Sequence, residues 1–315
     1  MKLNKPKFWD RKIGLIAIFL FPISLIYLII IFLKKKFTKN IIFNIPIICV
    51  GNIYIGGTGK TPTSILLAQE LSKKGRNPVI LRKFYKSHTD EYELIKNHFD
   101  NLILSKNRVT GIKEAEKAIY DCVILDDGFQ DYKIKKDLNI ICFNQKQLIG
   151  NGLALPSGPL RENFNALKNA NIILINGNKN EMFEKKILNI NKNLEIFYSK
   201  YIPINIDQFK NKNLIAIAGI GNPENFFELL EGNNLKIVKK YIFPDHYEFS
   251  KNELQIIVDE AKDKGYKIVT TEKDFFKIKN FKISELDYLK VSLKINDNDN
   301  DKFINRINRL YDKNN

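Results

Sequence analysis

The sequence has little cysteine, histidine or tryptophan: its 315 residues include three cysteines, three histidines and one tryptophan. Cys49, Cys122 and Cys142 each lie inside an apolar run, which is typical of a reduced thiol in a buried strand. No cysteine–histidine group has the spacing of a zinc site. The composition therefore argues against a disulfide-stabilised scaffold and against a structural zinc centre.

An arginine-rich stripe with interleaved aromatic residues, which would indicate a nucleic-acid surface, is also missing. The formal net charge of +16 comes mostly from lysine, and Ile and Asn are abundant too, so it reflects residue usage as much as a partner. We predict no nucleic-acid partner. The 44% of hydrophobic residues is typical of a globular chain, and 315 residues are enough for two domains.

Residues 13–33 form a nearly unbroken apolar run. As an α-helix this run would rise about 32 Å, close to the roughly 30 Å of bilayer hydrocarbon. Basic residues flank it on both sides, so charge sets no orientation. A signal peptide would have a shorter apolar region and a small-residue cleavage site, and a buried core helix would seldom be this long. We predict a membrane helix within 1–37, either spanning the bilayer or kinked at Pro22 in one leaflet.

Short apolar runs alternate with helical patterns over the rest of the chain. Continuous Ile, Val and Leu runs are typical of strands buried on both faces of a parallel sheet. Runs that we interpret as strands lie at 46–50, 78–81, 102–104, 122–125, 138–142 and 172–175, then at 214–218, 237–241 and 267–270. The pattern predicts an α/β fold, with a doubly wound parallel sheet in a nucleotide-binding domain at 38–200 and a second, smaller α/β domain at 201–315. The Asn- and Asp-rich stretch at 296–301 is predicted to be a loop before a last short helix.

A glycine-rich segment follows the first predicted strand and precedes a predicted helix at 61–74. Glycines let successive backbone N–H groups turn toward phosphate oxygens, and the helix N-terminus adds partial positive charge. Lys60 would reach the β- and γ-phosphates of ATP, and the Thr61 hydroxyl would bind Mg²⁺. Tyr54 stands where the common pattern has glycine, but the segment still predicts a P-loop NTPase-like domain. The residues predicted to bind the nucleotide are Gly56, Gly57, Thr58, Gly59, Lys60, Thr61 and Pro62.

Two carboxylates, those of Asp126 and Asp127, directly follow the predicted strand at 122–125. P-loop enzymes place an acidic residue here to hold Mg²⁺, because parallel strands present their C-terminal ends to one crevice. We favour Asp127 as the metal contact and Asp126 as its support, and their ranking stays open.

Five motifs together resemble the lipid A 4'-kinase family, the tetraacyldisaccharide 4'-kinases. They are Gly-Gly-Thr-Gly-Lys-Thr-Pro at 56–62, Leu-Asp-Asp-Gly-Phe-Gln at 125–130, Leu-Pro-Ser-Gly-Pro-Leu-Arg-Glu at 155–162, Phe-Pro-Asp-His at 243–246 and Thr-Glu-Lys-Asp at 271–274. They occur in the order that the family has, and the apolar N-terminal segment fits as well. The chain departs from the family at 81–86, which lacks both glycines of a Ser-Arg-Gly-Tyr-Gly run.

The resemblance implies an enzyme that uses ATP and Mg²⁺ to phosphorylate the 4'-hydroxyl of a tetraacylated glucosamine disaccharide 1-phosphate, a lipid-linked substrate. It implies a second domain that closes over the active site, and an inner-membrane helix with both domains on the cytoplasmic face. The chain is expected to be a monomer.

The resemblance also implies site residues. Asp90 matches the catalytic base, and His246 matches a histidine that assists it. With Lys60 they are the predicted catalytic residues. Glu162 is a further predicted Mg²⁺ contact. Further contacts to phosphate or substrate, or supporting positions, are predicted for Arg161, Gln130 and Arg108.

Two other functions fit part of the sequence. A membrane-anchored P-loop ATPase or GTPase that works as a switch would use a hydrolytic water and no acceptor sugar. A kinase or synthetase that acts on a small soluble metabolite would have no use for the apolar segment.

Overall fold

The computed structural model of the chain describes residues 5–86, 88–245, 247–283 and 285–311. Its helices are α1 Leu15–Phe37, α2 Lys60–Lys73, α3 Thr89–His98, α4 Arg108–Lys117, α5 Glu181–Ile190, α6 Pro223–Glu231, α7 Lys251–Asp263, α8 Glu272–Ile278 and α9 Asp297–Asn308. Its strands are β1 Ile47–Gly51, β2 Pro78–Lys83, β3 Leu102–Ser105, β4 Cys122–Asp126, β5 Leu138–Asn144, β6 Ile172–Asn176, β7 Glu195–Pro203, β8 Asn213–Ala218, β9 Lys236–Ile242, β10 Lys267–Thr271, β11 Leu286–Leu289 and β12 Val291–Ile295.

Eight strands form one sheet in the order β12-β7-β6-β5-β1-β4-β2-β3. The pairs from β7 to β3 are all parallel, and every residue of β1 is buried, as the continuous apolar runs predict. β1 lies between β4 and β5, so the strand order reverses beside it, which is where open α/β sheets bind ligands. The predicted doubly wound parallel sheet is confirmed.

A second sheet has four parallel strands in the order β11-β10-β8-β9. Its faces are covered by two apolar clusters, one around Phe227 and Leu214 and one around Leu254 and Ile268. This is the smaller α/β element that the second series of apolar runs predicts.

The chain divides into two compact units that interleave in sequence. The first comprises Met1–Phe84, Asn101–Lys200 and Lys294–Asn315, and the second comprises Tyr85–Asp100 and Tyr201–Leu293. The predicted domains, by contrast, are continuous stretches. α3 belongs to the second unit because it packs against α8, where the Asn97 side chain donates to Glu272 over 2.8 Å. α9 belongs to the first, because the Phe303 ring packs on the Phe197 ring of β7.

The predicted loop at 296–301 is wrong, because α9 already begins at Asp297. Asp297 and Asp299 lie in its first turn, where negative charge interacts favourably with the partial positive charge of a helix N-terminus. The polar composition that suggested a loop is thus the composition of a helix start.

Helix α1 contacts the rest of the first unit along one face. The buried Ser24 hydroxyl lies 3.0 Å from the Ala154 carbonyl oxygen and accepts a hydrogen bond from the Ser157 amide over 3.0 Å. The Tyr27 hydroxyl donates to the carbonyl of Arg161 over 2.9 Å. The other faces expose apolar side chains such as Leu15, which is 86% exposed. Among the described residues, α1 is the one helix with the length and composition to cross a membrane.

The Ser24 contact gives a testable prediction about how α1 is held. Ser24→Ala leaves the buried Ser157 amide without its acceptor, which costs about 1–3 kcal/mol. We expect the free energy of unfolding, measured by chemical denaturation in detergent micelles, to fall by this amount. The matched control is Ile26→Ala on an exposed face of the same helix, expected to change stability by less than about 0.5 kcal/mol. Equal losses for both variants would contradict a docking role for Ser24.

Candidate active site

The glycine-rich loop between β1 and α2 has the backbone that a phosphate cradle needs. Gly56 and Gly59 have φ of 112° and 88°, in the left-handed region that side chains disfavour. α2 begins at Lys60, and no described side chain caps it, so the first amides of the helix can bind an anion. Pro62 lies in the first turn, where its missing N–H costs nothing.

A short antiparallel bridge holds the back of this loop. The Ile55 amide donates to the Pro159 carbonyl over 2.9 Å, and the Arg161 amide donates to the Ile53 carbonyl over 2.7 Å. Tyr54 between them is fully buried, and its hydroxyl bonds to Asp10, which precedes α1. Burial and this bond raise the pKa of Tyr54. The tyrosine that replaces a glycine of the common pattern therefore ties the loop to the N-terminal segment.

Asp126 supports the loop from the neighbouring strand. Val50 and Asp126 are register partners in β1 and β4, so the two strands deliver the loop and the carboxylate to the same edge. The carboxylate is fully buried and accepts from the Thr61 hydroxyl over 3.0 Å and from the Ser64 hydroxyl over 3.2 Å. The Arg82 guanidinium also pairs with it. Asp126 therefore holds the Thr61 hydroxyl in place.

Asp127 faces two cations instead. Its carboxylate lies 3.7 Å from the Lys60 ammonium and accepts from the Arg161 guanidinium over 2.8 Å. Burial opposes the ionisation of Asp127, but Lys60 and Arg161 outweigh it and hold the pKa of Asp127 below its ordinary value. Burial lowers the pKa of Lys60, which Asp127 partly offsets. The side chain of Asp127 keeps 27% of its exposure, so it is the more accessible of the two carboxylates.

Glu162 lies beside a different set of partners. The Gln130 amide donates to its carboxylate over 3.1 Å, and Tyr132 also bonds to it. Burial raises the pKa of Glu162 against these two hydrogen bonds. In the described residues no group of three or more His, Cys, Asp or Glu side chains converges as a metal site. The direct contact from Glu162 to Mg²⁺ therefore stays a prediction.

Arg108 contacts backbone rather than a carboxylate of the acidic pair. Its guanidinium donates to the Asp127 carbonyl over 2.7 Å and lies 3.6 Å from the Asp131 carboxylate. It therefore fixes the turn after β4.

Asp90 lies in the second unit, near the start of α3, and is 2% exposed. Its carboxylate is 3.5 Å from the Lys277 ammonium and 3.8 Å from the Lys273 ammonium, both of α8. Lys273 also lies 3.2 Å from Asp245. The predicted partner His246, next in sequence, lies outside the described residues.

The chain matches known proteins over its length. The family model described as LpxK, tetraacyldisaccharide-1-P 4'-kinase, matches residues 16–100 and 88–311. A tetraacyldisaccharide 4'-kinase of Pelagibacter ubique is 43% identical, covering 100% of both chains. One from Rickettsia bellii is 36% identical over 88% of this chain and 90% of its own length. The chain belongs to the LpxK family.

A solved structure supports the same assignment. LpxK of Aquifex aeolicus, crystallised in complex with ATP, superposes with a TM-score of 0.69 at 25% identity and covers 94% of this chain and 99% of its own. The family resemblance and the kinase class predicted from the sequence are therefore confirmed. That relative binds ATP in its crystal structure.

Some side chains beside the candidate site lie outside the five motifs. Ser64 reaches Asp126 from α2, and Arg82 reaches it from the neighbouring strand β2, where it matches the arginine of the Ser-Arg-Gly-Tyr-Gly run. Lys277 lies outside the Thr-Glu-Lys-Asp motif, four residues after Lys273. That i, i+4 spacing on a helix is the one signal that points to it.

Proposed function

We propose that this chain transfers the γ-phosphoryl group of ATP to the 4'-hydroxyl of a tetraacylated glucosamine disaccharide 1-phosphate. The observation that carries the proposal is the group of Lys60, Thr61 and Asp126 beside the glycine-rich loop. The relatives that match this chain over its length are tetraacyldisaccharide 4'-kinases, and their activity indicates which acceptor the chain uses.

Mg²⁺ fits the residues beside the loop. The Thr61 hydroxyl and the carboxylates of Asp126 and Asp127, at the end of β4, are hard oxygen donors, and the Asp127 carboxylate stays accessible. Thr61 and Asp127 would hold the ion, and Asp126 would keep Thr61 in place. When bound, Mg²⁺ would neutralise charge on the phosphates. Lys60 contributes positive charge of its own, and the amides at 56–61 hold the phosphate oxygens.

Asp90 is the proposed base. A carboxylate that accepts the proton of the sugar hydroxyl must be ionised, and two ammonium groups beside a buried carboxylate favour that state. His246 would orient Asp90 or share the proton. In this scheme Asp90, from the second unit, and the phosphate loop, from the first, act on the same acceptor hydroxyl. We therefore propose that the second unit closes over the active site during the reaction.

We propose that α1 lies in one leaflet of the inner membrane and that both units lie on the cytoplasmic face, where ATP is available. The middle of a spanning helix lies about 15 Å from either bilayer surface. Ser24 and Tyr27, near the middle of α1, instead bond to the loop at 154–161 of the first unit. The exposed apolar faces of α1 would then contact acyl chains, close to a lipid-linked acceptor.

The test is a transfer assay with the full-length protein, ATP labelled at the γ-position and the lipid disaccharide in mixed micelles. We expect label in the lipid, and none when the acceptor carries a methyl ether at its 4'-oxygen. Label found only in inorganic phosphate would favour the membrane-anchored ATPase. Label in the methyl ether would place the acceptor oxygen elsewhere on the sugar.

A further inference from the structure

Two lysines one helical turn apart on α8 flank the carboxylate of Asp90. The Asp90 side chain is 1% exposed, and those of Lys273 and Lys277 are 16% and 13% exposed. Because all three are shielded from water, their charges interact more strongly than a surface ion pair does. All three residues belong to the second unit.

Other carboxylates also form ion pairs with the two lysines. Lys273 lies 3.4 Å from Glu91 and 3.2 Å from Asp245, and Lys277 lies 2.9 Å from Asp274. His88, just before α3, lies 3.5 Å from Glu91. Around the two ammonium groups, the described residues thus place Asp90 and three further carboxylates, and His88 lies next to Glu91. If one lysine lost its charge, four carboxylates would compete for the other.

The Thr-Glu-Lys-Asp motif builds this arrangement. The Thr271 hydroxyl caps α8 by accepting from the Asp274 amide over 3.1 Å, and Asp274 accepts from the Gly219 amide over 2.7 Å. Glu272 joins α8 to α3 through Asn97, at 2.8 Å, and His98. These contacts fix α8 against α3 so that the lysines of α8 meet Asp90.

We propose that Lys273 and Lys277 are positioning residues for phosphoryl transfer, which hold Asp90 in its ionised, proton-accepting form between α3 and α8. The inference rests on the proposed role of Asp90 as base. Burial and the neighbouring carboxylates both disfavour the charged form of Asp90, and the two lysines oppose them. Without one lysine, Asp90 holds its proton to a higher pH, and a protonated carboxyl accepts none from the sugar.

The test measures kcat against pH for Lys277→Met and Lys273→Met in full-length protein with ATP and the lipid disaccharide. We expect the acidic limb of each profile to move up by about 1–3 pH units, the size of shift that a nearby opposite charge causes. Lys277→Arg keeps the charge and should keep the wild-type limb. Lys279→Met is the matched control, because Lys279 pairs with Glu93 instead, at 2.7 Å. The KM for ATP is expected to stay unchanged throughout.

The outcomes separate this inference from the proposed function. If the Met variants lose turnover equally at every pH and the limb stays in place, the lysines only hold the fold, and the inference fails. A melting temperature measured for each variant identifies such a loss of structure. If Asp90→Asn keeps its turnover, the base lies elsewhere and the proposed role of Asp90 fails first. Loss of turnover in Asp90→Asn together with a moved limb in both Met variants supports both.

Discussion

Replacing Asp90 by asparagine is expected to lower kcat by about 10²–10⁴-fold, the usual contribution of a positioned general base. Asparagine keeps the size of the side chain but cannot take the proton of the sugar hydroxyl. The KM for ATP should change little, because in this proposal Asp90 acts on the acceptor and not on the nucleotide. Steady-state kinetics with the lipid disaccharide measure both quantities.

The matched control for Asp90→Asn is Glu93→Gln on the same helix. Glu93 keeps 45% of its side-chain exposure and pairs with Lys279 outside the Asp90 group. Its amide variant should retain wild-type kcat. Near-normal turnover of Asp90→Asn would show that another group accepts the proton.

Lys60→Met is expected to lower kcat by about 10²–10³-fold, the loss that follows removal of one preorganised charge-stabilising group. The ammonium is buried and 3.7 Å from Asp127, so it is already placed where nucleotide phosphates would bind. Weaker ATP binding should accompany the loss, because the same charge contacts ATP before the reaction. Isothermal titration with ATP and steady-state kinetics separate the two effects.

Lys73→Met at the other end of α2 is the control for Lys60→Met. Its ammonium pairs with Glu70 and is 69% exposed, so it should leave kcat and ATP affinity at wild-type values. If Lys60→Met bound and turned over ATP normally, the glycine-rich loop would not be the phosphate site.

The sequence predicts those elements whose signals are local. The predicted strand at 122–125 is found at Cys122–Asp126, and the predicted helix at 61–74 is found at Lys60–Lys73. Both carry dense apolar runs or a glycine boundary. β12 escapes prediction because polar and apolar residues alternate along it at the edge of the large sheet.

The same distinction applies to the candidate site. Lys60, Thr61 and the two aspartates at the end of β4 lie in short contiguous motifs, so the sequence alone indicates them. The surroundings of Asp90 depend on the packing of α3 against α8, which follows it by more than 170 residues. α3 belongs to a different unit from the residues just before and after it in the chain. No local pattern encodes such a contact.

The hydrogen bonds between the N-terminal segment and the rest of the first unit bear on how this protein can be handled in water. Trimming the chain ahead of β1 would remove the partners of the Tyr54 hydroxyl, the Ser157 amide and the Arg161 carbonyl. All three lie next to the backbone bridge that supports the glycine-rich loop. Solubility is better sought by polar substitutions at outward positions of α1 such as Leu15 and Phe19, which leave the docked face intact.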